Sequence, residues 1–240
     1  MNVLVVNAGS STLKYQVIDT KSHKVSAKGS CERVCFTGGT FTHAANGSKK
    51  VTENIEFPDH KVAIEVVLKD LEANGVKIEG IGHRIVQGGW YFGDSSLVDE
   101  DVLAKIREVA PLAPLHNYGE AAAIEYCREK YPELPNVAVF DTSFHMTMPE
   151  VAYTYALPKD VCDKYHVRKY GAHGTSHRYE WMMAKEILGS RCHRLLSCHL
   201  GNGASLAAIE DGVCRDTTMG LTPLDGLMMG TRCGSVSYTH

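Results

Sequence analysis

The sequence has no apolar run long enough to cross a membrane, and its charges nearly balance. Its 25 basic and 28 acidic side chains leave a formal net charge of -3 over 240 residues. A near-neutral chain lacks the positive field that attracts nucleic acids and anionic membranes, so we expect neither as a partner. The first residues also lack the basic start and the apolar stretch of a secretion signal. Any anion that binds must therefore be held by local groups.

No Cys-x-x-Cys pair occurs among the eight cysteines, and several of them lie in apolar segments. Scattered cysteines of this kind are typical of reduced, mostly buried thiols, so we expect a cytoplasmic protein. The hydrophobic content of 44% is sufficient for one large domain or two smaller ones, each with its own core.

A glycine turn is the most informative local feature. Leu195-Leu196 leads into Gly201-Asn202-Gly203, and an apolar segment then continues to Ile209. This pattern predicts strand, turn and strand. Glycines at such a turn let backbone N–H groups converge on an anion such as phosphate. Asn-Gly is also the commonest short hairpin signal, so a purely structural turn is the alternative.

The same arrangement occurs at the beginning of the chain. Residues 3–6 are apolar, residues 7–12 read NAGSST, and residues 13–18 return to a strand pattern. Two such hairpins about 190 residues apart predict a duplicated lobe, each lobe opening with a phosphate-type hairpin. Walker and Rossmann loops lead from a strand into a helix, so neither template fits.

Between the hairpins, the sequence predicts helices over 60–73, 99–110, 117–131 and 178–188, and strands over 78–85 and 137–140. Arg84 lies near the carboxyl end of one predicted strand and Asp141 follows the other, where α/β folds place ligand groups. The alternatives are an ion-paired arginine and a carboxylate that caps the next turn. His116 precedes a predicted helix, where anions are favoured, although an isolated loop histidine is usually unremarkable polar surface.

Three segments of the second half complete the prediction. Residues 149–170 contain two prolines and suggest a link between lobes. His173 and His177 could share a helix face, but zinc is disfavoured because no further ligand follows at a familiar spacing. Four residues of helix 178–188 are predicted to be core: Trp181, Met182, Met183 and Leu188. Residues 216–234, which include Arg232, are irregular enough to form a lid or pocket wall.

Seven segments resemble the acetate kinase family of acetate and propionate kinases, in matching order and over almost the whole chain. They are NAGSSTLKY, GHRIVQGG, LAPLHN, VFDTSFHMTMP, YGAHGTSH, CHLGNGAS and DTTMGLTPLDGLMMGTR. The resemblance implies an α/β fold of the ribonuclease H-like, actin-like ATPase type with duplicated lobes. It implies a first lobe over residues 1–150 and the beginning of a second, incomplete lobe over 151–240.

The resemblance also implies a reaction: reversible, in-line transfer of the γ-phosphoryl group of ATP to acetate, giving ADP and acetyl phosphate. Asp141, His173 and Arg232 would be catalytic, Arg84 and His116 would face the carboxylate, and Mg²⁺ or Mn²⁺ would be the metal. Homodimers are typical of the family. The other implied residues are Asn7 at the metal, Ser10, Thr12, Lys14, His199, Leu200, Gly201, Asn202 and Gly203 at the nucleotide phosphates, and Val86, Leu115, Ala172 and Pro223 around the acyl group.

Several positions depart from the family pattern. Thr12 replaces a usual serine, Gln87 a usual histidine and Tyr118 a usual proline, whereas Ala172 stands where phenylalanine is usual. The smaller side chain predicts a larger acyl pocket that accepts propionate. The family usually continues well beyond residue 234, so we expect a fragment of low activity. A propionate, butyrate or pyrophosphate-dependent kinase and a noncatalytic phosphate-binding module are the alternative functions.

Overall fold

A computed structural model describes residues 1–236, which fall into two compact units. The first unit comprises Met1–Ile85 and Ser95–Val139, and the second comprises Val86–Asp94 and the chain from Phe140 onward. A lobe boundary at residue 150 stays a prediction. Among the described helices, none combines the length and the apolar composition that crossing a lipid bilayer requires.

The first unit is built on a mixed eight-stranded sheet in the order β5-β4-β3-β2-β1-β6-β8-β7. Strand β1 pairs antiparallel with β2 and parallel with β6, as the predicted opening hairpin requires. The strands are β1 (Asn2–Ala8), β2 (Thr12–Asp19), β3 (Val25–Glu32), β4 (Thr40–Ala45), β5 (Val51–Asn54), β6 (Gly80–Ile85), β7 (Ser96–Leu97) and β8 (Asn136–Phe140).

Three helices accompany this sheet: α1 (His60–Ala73), α2 (Glu100–Glu108) and α3 (Asn117–Lys130). The predicted bounds of α1 are confirmed, because local signals set both ends. Asp59 accepts a hydrogen bond from the backbone N–H of Val62 at 2.8 Å, and Gly75 follows the helix with φ of +65°. The buried face of α1, which includes Ile64 and Leu68, packs in one core with the alternating apolar residues of β1 and β2.

The second unit contains an antiparallel sheet in the order β11-β10-β9. Its elements are α4 (Glu150–Tyr153), α5 (Lys159–Tyr165), α6 (Gly174–Leu188), β9 (Arg194–Leu200), β10 (Ala204–Glu210) and β11 (Val213–Thr217). Residues 149–170 contain the two short helices α4 and α5 and lie within the second unit. The core joins Phe144 and Met148 to Ile209 and Cys214, with Trp181 of α6 packed against them.

The repeat predicted from the sequence is present in the strand topology. In each unit the first strand pairs with the second and the second with the third, all antiparallel. Four residues separate the paired positions Ala8 and Leu13, and three separate Leu200 and Ala204. The predicted one-residue difference between the turns is therefore confirmed.

The prediction that the apolar residues of α6 form core was wrong for two of them. Met182 is 55% exposed and Leu188 is 41% exposed, whereas Trp181 and Met183 are half-buried. The helix covers β9 with only one face, so apolar side chains on its other face remain in solvent. Helical periodicity identifies an apolar stripe, but it does not show whether an element covers that stripe.

Candidate active site

The first hairpin turn is closed by its own backbone and supported by a helix. The Gly9 N–H donates to the Thr12 carbonyl oxygen at 2.7 Å, so Ser10 lies at the tip of a tight loop. Nε2 of His60, the first residue of α1, lies 2.7 Å from the carbonyl oxygen of Gly9. The sequence did not identify His60 as part of this turn.

Asn7, Lys14 and Arg84 lie on the same side of the first sheet. Asn7 faces Lys14 across β1 and β2, and Nη1 of Arg84 donates to Oδ1 of Asn7 at 3.0 Å. A cavity of about 640 Å³ on this sheet is lined by Asn7 and Lys14, together with Lys28 and Ser30. The cavity is also lined by the acidic Glu32 and does not include Arg84. Anion binding by Lys14 and Arg84 stays a prediction, which their ammonium and guanidinium groups suit chemically.

Coordination of magnesium by Asn7 stays a prediction. Its amide oxygen accepts from the Arg84 guanidinium at 3.0 Å, which places a positive charge beside any metal bound there. Magnesium in kinase sites usually keeps several waters and binds through carboxylates and substrate phosphates. Among the described residues, no group of three or more His, Cys, Asp and Glu side chains could hold a metal ion.

His116 and Leu115 lie in the loop before α3. His116 is the N-cap residue of that helix, which places its backbone at the positive end of the helix dipole, as predicted. Leu115 is 73% exposed, so no part of the first unit covers it. A role of Leu115 in an acyl pocket stays a prediction.

The glycine turn of the second unit brings together residues that are distant in sequence. Gly201 donates to the Gly203 carbonyl oxygen at 3.0 Å, which closes the turn between β9 and β10. A methyl group added at Gly203 would lie 2.8 Å from Nη2 of Arg232 and 3.2 Å from Nε2 of His173. Two of the predicted catalytic side chains therefore reach the same residue of the turn, and glycine leaves them the space to do so.

The segment after β11 positions the arginine. Nη1 of Arg232 donates to the carbonyl oxygen of Pro223 at 2.9 Å, and the Gly230 N–H donates to the carbonyl oxygen of Asn202 at 3.3 Å. The irregular segment thus folds back onto the glycine turn, as a pocket wall would. Leu200, beside the turn, is 73% exposed.

His173 has an unusual backbone conformation for a residue other than glycine. It precedes α6 in the left-handed region, with φ of +60° and ψ of 17°. Such conformations concentrate at functional sites and cost of order 1–3 kcal/mol, which the surrounding contacts must offset. The ring stacks on His199 with centroids 4.0 Å apart, and Nδ1 lies 2.9 Å from Oγ of Ser205. Nδ1 of His199 lies 3.0 Å from Oγ of Ser176.

Asp141 is 2% exposed and is bonded to the first turn of α6. Its Oδ1 accepts from Oγ1 of Thr175 at 3.0 Å, and its carbonyl oxygen accepts from the Gly174 N–H at 2.8 Å. The carboxylate is thereby fixed relative to His173, the residue that precedes Gly174. Asp141, His173 and Arg232 are thus all positioned within the second unit.

Ala172 and Val86 are both buried, with exposed fractions of 4% and 7%. The Ala172 carbonyl oxygen lies 2.9 Å from Nε2 of His145, whose Nδ1 lies 3.1 Å from Sγ of Cys214. Burial lowers the pKa of His145 to about 4 and raises the pKa of the Cys214 thiol to about 12. The pair is therefore neutral at pH 7, and its thiol is not a nucleophile.

Replacing Gly174 with alanine should destabilise the second unit by about 1–3 kcal/mol. The new methyl group would lie 2.3 Å from the Asp141 carbonyl oxygen and 3.0 Å from Cβ of Phe144, so the helix start must shift. Urea unfolding followed by tryptophan fluorescence checks this, because Trp90 and Trp181 both belong to this unit. Gly93→Ala is the matched control, since its methyl group would meet open space. Equal stabilities for the two variants would contradict the packing described here.

The sequence profile described as the acetokinase family matches residues 2–239. The chain belongs to that family. It is 49% identical over 245 aligned residues to the acetate kinase of Thermotoga maritima, covering 98% of this chain and 60% of that protein. The chain thus spans about 60% of the length of the curated relatives it matches.

Solved structures of the family share the fold. A propionate kinase from Francisella tularensis superposes with a TM-score of 0.93 at 42% identity, covering 99% of this chain and 62% of that one. The acetate kinase of Porphyromonas gingivalis gives a TM-score of 0.91 at 41% identity, with coverages of 99% and 62%. The α/β fold of acetate and propionate kinases is therefore the fold of this chain.

Proposed function

We propose that this protein takes part in ATP-dependent phosphorylation of a short-chain carboxylate, with acetate as acceptor and acetyl phosphate as product. The observation that carries the proposal is the approach of Arg232 and His173 to Gly203 at the tip of a glycine hairpin. Two positively charged or hydrogen-bonding side chains beside a phosphate-type turn are what phosphoryl transfer requires. Membership of the acetokinase family supports the same reaction.

The acceptor needs no general base. A small carboxylic acid ionises near the value of a glutamate side chain, about 4.3, so acetate is already a nucleophile at neutral pH. One carboxylate oxygen attacks the γ-phosphorus of ATP while the bond to the ADP oxygen breaks in line. Asp141 orients groups in the site rather than removing a proton, and Arg84 binds the carboxylate as a bidentate partner.

Charge neutralisation is the main contribution of the protein. The loose transition state spreads negative charge over the oxygens of the transferring group, and Arg232 and His173 would stabilise it. Within the second unit, His199–Gly203 would bind nucleotide phosphate through the glycine turn. Within the first unit, Ser10, Thr12 and Lys14 offer hydroxyl and ammonium groups of the same phosphate-binding type. Mg²⁺, or Mn²⁺ in its place, would enter bound to those phosphates and add further positive charge.

Trapping of acyl phosphate with hydroxylamine tests the proposal. We expect hydroxamate to form with ATP and acetate, and not with pyrophosphate and acetate. Product with pyrophosphate alone would assign a different phosphoryl donor. Binding of ATP without hydroxamate under either condition would instead support a phosphate-binding module.

The acyl preference provides a separate prediction. A propionate kinase is among the similar structures, and Ala172 replaces a bulkier residue of the family pattern. We expect kcat/KM with propionate to lie within tenfold of the value with acetate. Ala172→Phe should lower the propionate value relative to acetate by about 10-fold or more, because one methylene is worth about 1–3 kcal/mol. Ala172→Val should be intermediate, and a strict acetate preference of the unmodified protein would refute the larger pocket.

A further inference from the structure

We infer that a buried hydrogen-bonded relay of Ser205, His177, Ser197 and Glu180 keeps the proton of the neutral His173 ring on Nδ1 and leaves Nε2 as an acceptor. The inference rests on the proposed function only where it gives His173 a role in phosphoryl transfer. The relay itself is a property of the second unit, and it reaches from His173 to a half-buried carboxylate on α6.

The relay is continuous. Oγ of Ser205 lies 2.9 Å from Nδ1 of His173 and 2.8 Å from Nε2 of His177. Nδ1 of His177 lies 2.5 Å from Oγ of Ser197, which in turn donates to Oε2 of Glu180. His177, Ser197 and Ser205 are 0–2% exposed, so water does not compete for these bonds.

Counting protons fixes the direction of each hydrogen bond. A carboxylate only accepts hydrogen bonds, so Ser197 uses its single hydroxyl proton in the hydrogen bond that it donates to Glu180. Oγ of Ser197 must then accept from His177, whose proton lies on Nδ1. Nε2 of the neutral His177 ring carries no proton, so Ser205 donates to it. Oγ of Ser205 can therefore bond to His173 only by accepting from Nδ1.

His177 is well suited to the middle of such a relay, because it stays neutral. Burial, together with the nearby rings of His145, His173 and His199, lowers the pKa of His177 to about 3. A ring that became charged at neutral pH would donate from both nitrogens and reverse the Ser205 hydroxyl. Because the His177 ring is neutral, the hydrogen-bond direction that Glu180 imposes on Ser197 also fixes the direction of the bond between Ser205 and His173.

This arrangement has a consequence at the other side of the His173 ring. Nε2 and Cε1 form the edge of the ring that faces Gly203, and in the neutral ring Nε2 has a lone pair and no proton. His173 can then donate to a phosphoryl oxygen only as the doubly protonated imidazolium. The charged and titratable groups around it are Arg232 at the turn, His199 on its face, His177 beyond Ser205, and Asp141 at the start of α6. Ser205, His177, Ser197 and Glu180, the members of the relay, are therefore positioning residues for His173.

Long-range ¹H–¹⁵N correlation spectra of the histidine rings in the 240-residue chain test the relay directly, since they separate the two tautomers. His173→Gln assigns the signal. We expect His173 and His177 to show protonated Nδ1 and unprotonated Nε2 at neutral pH. A His173 ring protonated on Nε2 alone would overturn the inference, whether or not the protein forms acyl phosphate.

Glu180→Ala is the decisive variant, because Glu180 is half-buried and its replacement leaves the core intact. Ser197 is then released to donate to His177, which allows the whole relay to reverse and gives His173 a mixture of tautomers. Glu186→Ala, an exposed acid on the same helix, should leave the spectrum unchanged. Ser176→Ala, which removes only the bond to His199, should also leave the His173 tautomer unchanged. An unchanged His173 tautomer in both Glu180→Ala and Ser197→Ala would refute the relay.

Discussion

Lowering the pH from 7 to 5 should take about 4 kcal/mol from the free energy of unfolding of the second unit. His145 and His177 are each 0% exposed, and burial lowers their pKa values to about 4 and about 3. In the unfolded chain both rings titrate near 6.5. The unfolded state therefore binds more protons below that value, and each histidine contributes about 2 kcal/mol of destabilisation by pH 5.

The direction of this effect follows from the sign of the shift. Because both pKa values are lower in the folded state, the stabilisation is fully present above about pH 6.5 and is lost as the pH falls towards 4 and 3. Domains are stable by only about 5–15 kcal/mol, so a loss of 4 kcal/mol is a large fraction.

Urea unfolding monitored by tryptophan fluorescence at several pH values measures how the free energy of unfolding of the second unit depends on pH. His177→Gln removes one of the two histidines that take up a proton only on unfolding. The free energy of unfolding of this variant should therefore fall about half as steeply between pH 6.5 and 5, whatever its value at pH 7. His193→Gln, at an exposed position, should keep the original slope. A stability that is constant from pH 7 to 5 would contradict the neutral state of both rings.

Replacing Arg232 with alanine should lower the rate of acyl phosphate formation by about 10²–10³-fold in the active protein. Its guanidinium is held by the Pro223 carbonyl oxygen and directed at Gly203, where transition-state charge would develop under the proposed mechanism. Because the charge grows in the transition state, the loss should be mainly in kcat rather than in KM. Arg215→Ala, an exposed arginine of the same unit paired with Glu210, is the matched control. Near-normal turnover of the Arg232 variant would refute its assignment.

Arg84→Ala should lower acyl phosphate formation by a factor of the same order. It should differ from the Arg232 variant in the kinetic constant that changes. If Arg84 binds the carboxylate in the ground state, KM for acetate rises together with any fall in kcat. Arg84→Lys should recover little, because a single ammonium does not reproduce the bidentate geometry. An unchanged KM for acetate would mean that Arg84 acts elsewhere, for example by orienting Asn7 through their hydrogen bond.

Local sequence signals predicted most of the fold. The hairpins, α1 and the ends of β6 and β8 follow from short apolar patterns, caps and glycines, which act within a few residues. The positions of Arg84 and Asp141 at strand ends follow from the same patterns. The exposure of Met182 and Leu188 could not be predicted in this way, because it depends on what packs against α6.

The supporting residues of the candidate site were harder to predict for a different reason. His60, Ser205 and Ser197 are single residues with no characteristic neighbours, and their partners lie 51, 28 and 20 residues away along the chain. Only tertiary structure brings them together. His177 did carry a signal, because it lies four residues after His173. That spacing is typical of a pair of metal ligands, and it does not indicate two rings joined through a serine. The structure shows both rings on the same hydroxyl group.

Strand β9 has a further physical consequence. Within residues 1–236 it pairs only with β10, and Leu196, Cys198 and Leu200 lie exposed on alternate positions of it. An edge strand offers a row of backbone donors and acceptors to any extended chain, and apolar side chains on the same strand make that association favourable. Neither a proline nor an acidic residue interrupts β9 to prevent such pairing. Strand addition at β9 is therefore a route by which this chain would associate with itself at high concentration.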